Sequence, residues 1–303
     1  MTTPTVVQAH DVWKQFGRHN ALTGLNLAVP EGSAYALIGA NGAGKTTALK
    51  LLMNIISPSR GSATVMGVDT CRISPAVLTQ IGYVAENQLL PSRLTVQDYL
   101  QYLRPFYPKW DRALETSICA RLQLPLERRI GELSHGVRVK VALACALPFR
   151  PRLLILDEPF SGLDPLVRDE LMDGLLHQAD ELTLLISSHE LSEIELVTTH
   201  VGFLDAGKML LQESMSELSD RLRGVHVTLE QPAVIPPDMP AEWLQARAVG
   251  NVLSFVDTRH TPEQFGERVR RVFGPVKRID VQPMPLRSVF TTLARAARAG
   301  DVQ

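Results

Sequence analysis

Gly39-Ala40-Asn41-Gly42-Ala43-Gly44-Lys45-Thr46-Thr47 follows directly on the apolar run Ala34-Tyr35-Ala36-Leu37-Ile38, and the reading of this junction decides the fold. Gly39, four free positions, Gly44, Lys45 and a hydroxyl residue have the spacing of a phosphate-binding loop set between a strand and a helix. Glycines permit the tight turn that brings backbone N–H groups against phosphate oxygens, and the following helix aims its positive end at the same anion. Asn41, Gly42, Ala43 and Thr47 complete the cradle. Lys45 is expected to reach the β- and γ-phosphates of a nucleoside triphosphate, and the Thr46 hydroxyl to coordinate Mg2+. Ala48, Leu49, Leu51, Leu52 and Ile55 have helical spacing, so a helix is expected to follow and to stop before Pro58.

Two further apolar runs end in chemistry. Leu153-Leu154-Ile155-Leu156 leads into Asp157, Glu158 and Pro159, and Leu182-Thr183-Leu184-Leu185-Ile186 leads into Ser187, Ser188 and His189. Both read as strands of an α/β sheet, the first buried on both faces. In an open parallel sheet ligands sit at the carboxyl edge, which would bring these groups to the phosphate loop. Asp157 is then expected to hold Mg2+ through water, and Glu158 to polarise an attacking water as general base. A neutral His189 imidazole there would hydrogen-bond the γ-phosphate or that water.

Composition narrows the class. With 31 basic and 32 acidic side chains among 303 residues, the formal net charge is −1, so no global field draws the chain to nucleic acid or an anionic membrane. Cys71, Cys119 and Cys145 lack metal-ligand spacing and fit packing roles in a reducing compartment. The N-terminus lacks the charged start and apolar stretch of a secretion signal, and no uncharged apolar run approaches about 18 residues.

The order of the remaining motifs carries a resemblance. Leu-Ser-His-Gly at Leu133 to Gly136 opens a helical pattern ahead of Asp157, and Ser-Gly-Leu-Asp at Ser161 to Asp164 follows Glu158. Together with the phosphate loop, this series resembles the ATP-binding subunits of ABC transporters. The likeness implies a phosphate-loop ATPase core with a mostly parallel sheet, an N-terminal antiparallel β subdomain and an inserted helical subdomain at about 88–150. The ATP-binding domain would span 1–222, and 223–303 a small C-terminal α/β accessory domain.

The resemblance also distributes roles. Ser134 and Gly136 match the signature that clamps the γ-phosphate held by an opposite protomer, while His135 and Val137 replace its first glycine and its glutamine. Asp164 matches the D-loop acid, His189 the switch histidine, and Phe16 the aromatic residue that stacks on adenine. Glu86, in Ile81 to Leu90, stands where relatives place a glutamine that joins Mg2+ to the membrane partner, with Gln88 as an alternative. Lys45, Glu158 and His189 would form the catalytic set. A dimer of two copies, or of this chain and a paralogue, would sandwich Mg·ATP and drive an integral membrane permease from the cytoplasmic face of the cell membrane. The helical face around Glu86 to Tyr102 would receive that permease, and no nucleic acid is expected as partner. A soluble ABC-type ATPase of translation or DNA repair is the alternative, but such relatives carry two ATPase domains or a long coiled coil, and this chain has one motif set. A nucleotide-dependent binding module without turnover is disfavoured by the presence of both Asp157 and Glu158.

Beyond Leu222 the character changes. Val225 to Leu229, Val252 to Val256 and Val276 to Val281 read as strands around a proline-rich loop. Thr261-Pro262-Glu263-Gln264 reads as a capping box for a helix that Gly274-Pro275 ends, and Leu286, Val289, Phe290 and Leu293 as a closing helix resembling that of drug and polysaccharide exporter subunits.

Overall fold

The computed structural model describes residues 4–176, 182–189, 194, 195 and 197–299, which fall into two compact units, Met1–Gln212 and Glu213–Gln303. The first unit runs through β1 (Thr5–Phe16), β2 (His19–Pro30), β3 (Ala34–Ile38), α1 (Lys45–Leu52), β4 (Arg60–Val65), β5 (Val68–Asp69), α2 (Pro75–Leu78) and β6 (Ile81–Val84). It continues with α3 (Val96–Leu103), α4 (Arg112–Arg121), α5 (His135–Ala146), β7 (Leu153–Asp157), α6 (Pro165–Leu176), β8 (Thr183–Ser188), β9 (His200–Asp205) and β10 (Lys208–Ser214). Two sheets form, an antiparallel β2-β1-β4-β5 and a six-stranded β10-β9-β3-β8-β7-β6. Their apolar faces share a core in which Leu22, Leu37, Leu49, Val65, Leu153 and Leu185 are fully buried.

Register explains why distant motifs meet. β3, β6, β7, β8 and β9 pair in parallel, with Ile38 opposite Ser188 and Asp157 opposite Ser187. Gly39, Glu158 and His189 therefore each emerge one step beyond a paired residue, at one carboxyl edge.

The phosphate loop is held from beneath by β2. Gly44 caps α1 in a left-handed conformation, φ 105°, and a Cβ there would lie 2.5 Å from the Ala21 carbonyl oxygen. Gly207, φ 78°, approaches the same peptide: its Cβ would lie 2.7 Å from that oxygen and 2.8 Å from Leu22 Cα. Gly207 also donates its N–H to the Ala43 carbonyl at 2.9 Å and accepts from Thr23 N–H at 2.9 Å. No side chain fits in either position. α1 ends well before Pro58, because Asn54 turns left-handed (φ 54°) and Ile55 N–H closes onto Lys50 O.

The inserted helical segment is fixed by polar groups. Thr95 and Asp98 form a reciprocal capping box at the start of α3. Glu115 on α4, 7% exposed, accepts Nε and Nη2 of Arg104 at 2.9 and 2.7 Å and the Trp110 indole N–H at 2.6 Å. Tyr107 stacks on Phe149 with ring centroids 4.0 Å apart.

The second unit comprises the last residues of β10, then α7 (Met215–Arg221), β11 (Arg223–Leu229), β12 (Trp243–Val249), β13 (Val252–Asp257), α8 (Pro262–Phe273), β14 (Val276–Pro283) and α9 (Leu286–Ala299). Its antiparallel sheet has the order β12-β13-β11-β14, and Val225, Val227, Trp243, Leu253 and Phe255 pack against Phe265 and Val269 of α8. The division falls at Gln212, ahead of the boundary expected at 222, because α7 is bound into this unit. Arg221 pairs with Glu213 and donates Nη1 to the Thr258 carbonyl at 2.9 Å, and His260 N–H bonds Arg221 O at 3.0 Å. β12 is a strand beyond those the sequence pattern marks: Gln245 takes φ 54° and the register shifts between Leu244 and Arg247, which breaks the alternation. Thr261 does cap α8 in position, with Pro262 in the first turn, but its side chain makes no capping bond, so the expected capping box is not formed.

Candidate functional site

Lys45, at the first turn of α1, is 4% exposed although charged. Its ammonium donates to the carbonyls of Gly39 at 2.7 Å and Ala40 at 3.3 Å, and pairs with Glu158 Oε1 at 2.9 Å. Such contacts are what keep a buried cation tolerable. Glu158 reaches it because the strand end turns sharply, with Glu158 itself left-handed at φ 49°. The other carboxylate oxygen, Oε2, lies 2.7 Å from His189 Nδ1, so Lys45, Glu158 and His189 form one connected row.

Asp157, next in sequence, faces a different set. Its Oδ1 accepts the Thr46 hydroxyl at 3.1 Å and the Ser187 hydroxyl at 2.7 Å, while Ser187 Oγ in turn accepts Glu158 N–H at 2.9 Å. Ser187, fully buried, thus fixes both acidic residues through one oxygen. Reading the sequence placed Ser187 at the correct edge without giving it a role. Its signal was slight: a hydroxyl as the last residue before Ser188 and His189.

A cavity of about 380 Å3 opens over the loop, lined by Asn41, Gly42, Ala43, Gly44, Lys45, Thr46 and Thr47 together with Phe16, His19, Glu86 and Glu158. Phe16 is half exposed at its rim, with the Lys14 ammonium 5.0 Å from the ring centroid. His19 is a wall residue that sequence reading missed, since it is brought in only by the β1–β2 turn. Glu86 stands in the same wall. Gln88 does not line this cavity; its side-chain oxygen accepts Ala85 N–H at 3.4 Å. Gly39 lies beneath the loop, where its N–H bonds Ser188 O at 3.3 Å.

Ser134, Gly136 and Asp164 are not among these wall residues. Ser134 caps α5, its Oγ accepting Val137 N–H at 3.4 Å, and Asp164 accepts Val167 N–H at 3.1 Å as it opens α6. One chain therefore carries a phosphate cradle in one place and an exposed helix N-terminus, suited to an anion, in another.

The residues fit a nucleotide with its magnesium. A hydroxyl and a carboxylate 3.1 Å apart, Thr46 and Asp157, are the oxygen donors that a cation carrying most of its ligands as water and phosphate requires. Among the described residues no His, Cys, Asp and Glu cluster of three or more offers an all-protein metal cage. None of the described helices is long and apolar enough to cross a membrane.

The chain is similar to known proteins over most of its length. The ABC transporter family pattern matches residues 22–161. The chain is 33% identical over 224 residues to the bacitracin transport ATP-binding protein BcrA of Bacillus licheniformis, covering 72% of this chain and 73% of that one. It is 32% identical over 219 residues to the lantibiotic transport ATP-binding protein SrtF of Streptococcus pyogenes, covering 69% and 90%. A solved structure of an ATP-binding subunit of an ABC transporter superposes with a TM-score of 0.65 at 27% identity, over 71% of this chain and 92% of that one. At 33% identity over about three quarters of both chains, and with the fold of a solved ATP-binding subunit, this chain belongs to the ABC transporter family, as a subunit that binds and hydrolyses ATP.

Proposed function

We propose that two copies of this chain, or this chain and a paralogue, close head to tail around two Mg·ATP and drive a separate membrane permease of the exporter type. One observation carries the reading. The cradle around Lys45 and the helix end at Ser134 and Gly136 stand apart in the chain, so a phosphate held by the first can meet the second only if another copy supplies it.

Within each site Lys45 binds the β- and γ-phosphates, and Phe16 lies where it can cover the base. Thr46 and Asp157 would hold Mg2+, with Glu86 beside them; the ion, when bound, neutralises charge on the phosphate oxygens. Glu158 takes the proton of the attacking water at its carboxylate, and His189 orients that carboxylate through Oε2. Because Lys45 is paired with Glu158, arriving phosphates compete with Glu158 for the ammonium, and the displaced carboxylate becomes free to act as base. The chain would work on the cytoplasmic face of the membrane, docked through the helical segment near Glu86 to Tyr102. The bacitracin and lantibiotic transport relatives support a transport role; the cargo pathway belongs to the permease.

The test is to tag the Glu158→Gln form in its native host, solubilise membranes gently with Mg·ATP and identify what co-purifies by mass spectrometry. A stoichiometric polytopic protein is expected. Ribosomal or DNA-repair proteins in its place would overturn the transporter assignment.

A further inference from the structure

His135 occupies the signature position at which relatives carry a glycine, and its imidazole has a definite partner. Nε2 lies 3.3 Å from the Ser161 carbonyl oxygen, so the ring nitrogen donates to the turn that follows Glu158. The Ser161 N–H, on the other side of that residue, donates to the Glu158 carbonyl at 3.2 Å. The first turn of α5 is packed against the start of α6 and the turn that leads into it. A Cβ on Gly136 would lie 3.1 Å from Val167 Cγ1 and 3.5 Å from Leu163 Cδ2. One turn further along, Lys140 of α5 is ion-paired with Glu170 of α6.

We infer that His135 is a positioning residue that couples the two ATP sites of the dimer. The inference rests on the head-to-tail reading above. Ser134 and Gly136 receive the phosphate bound by the other copy, and His135 sits between them on the same helix end. Any displacement of that end on phosphate binding is passed through the imidazole to the Ser161 carbonyl, across that residue to its N–H, and so to the carbonyl of the left-handed residue Glu158 in the chain's own site. A glycine at position 135 keeps the anion-binding backbone and lacks the link.

The experiment compares the full chain with His135→Gly and His135→Gln, the second keeping a side-chain N–H donor. ATPase rate against ATP concentration is measured for each, beside ATP-dependent dimerisation in the Glu158→Gln background. Loss of one hydrogen bond to the turn should lower kcat about three- to tenfold in His135→Gly, with the half-saturating ATP concentration little changed. The Hill coefficient should fall below the parent value, because dimer closure still links the two sites but the route through His135 is cut. His135→Gln should recover most of both. Equal kcat and Hill coefficient in His135→Gly, or a His135→Gln form as impaired as His135→Gly, overturns the coupling role. Failure of Glu158→Gln to dimerise with ATP would instead remove the dimer reading, and the coupling with it. Dimerisation with unchanged His135→Gly kinetics removes the coupling alone.

Discussion

Glu115 and Glu158 are both buried carboxylates beside a cation, yet they are held in opposite ways. Glu115 is saturated: three N–H donors from Arg104 and Trp110 converge on it, and it ties α4 to the end of α3. Glu158 has Lys45 on one oxygen and His189 on the other, and in the function proposed above Lys45 exchanges this carboxylate for an arriving phosphate. A carboxylate with fixed neighbours holds structure together; one with exchangeable neighbours can take part in a reaction. Burial alone does not distinguish them.

The sharpest way to break this contrast is Glu158→Gln. Hydrolysis should fall about 10^2- to 10^4-fold, as expected for loss of a general base, while the thermal midpoint stays near that of the parent chain. Nucleotide binding, followed by fluorescence of an ATP analogue, should tighten, since Lys45 loses a competing negative charge. A turnover near the parent value would place the base elsewhere.

Glu115→Ala should do the reverse. Leaving the Arg104 guanidinium and the Trp110 indole without their acceptor should cost about 2 kcal/mol in denaturant unfolding, while ATP affinity of the folded protein is retained. A smaller consequence concerns acid. Burial acts to raise the Glu115 pKa, but the Arg104 and Trp110 hydrogen bonds and the Arg104 charge outweigh it and hold the group below the usual carboxylate range. Its stabilisation is therefore complete above the ordinary carboxylate pKa and is lost as pH falls through the lower folded value. Glu115→Gln should accordingly show a shallower loss of stability than the parent below about pH 4.

The smallest expected effect is read with a thiol reagent. Cys71 is exposed, against the packing role expected for it, whereas burial first, and the Glu115 charge second, push the Cys119 thiol up to about 11. Burial also raises Cys145. The native chain should label at Cys71 alone at neutral pH, and Glu115→Ala should add slow labelling at Cys119. Equal labelling of all three cysteines in the native chain would contradict the packing of this segment.

Much of the ATP-binding unit was legible because its chemistry is contiguous. Gly39 to Thr47 and Asp157-Glu158 each announce themselves within a few residues, and parallel register then brings them together without further instruction. Ser187 and His19 were illegible for the converse reason: each acts singly and gains its role from a neighbour far away in the chain. In the second unit Val225 to Leu229 alternates cleanly and is legible as a strand, but Trp243 to Val249 hides its alternation behind the irregularity at Gln245. Thr261 likewise has the residues of a capping box without the geometry, since nothing local compels its hydroxyl toward the helix.

The roof over Ala21 has a consequence for inheritance. Gly44 and Gly207 press on the same peptide, and only the first belongs to a recognisable motif. A saturation screen scored on growth should find position 207 as intolerant as the loop itself, down to alanine, although nothing around it marks it as special. The phosphate loop is thus encoded twice, once in a run of glycines that any reader would stop at, and once in a solitary glycine that reads as an ordinary turn.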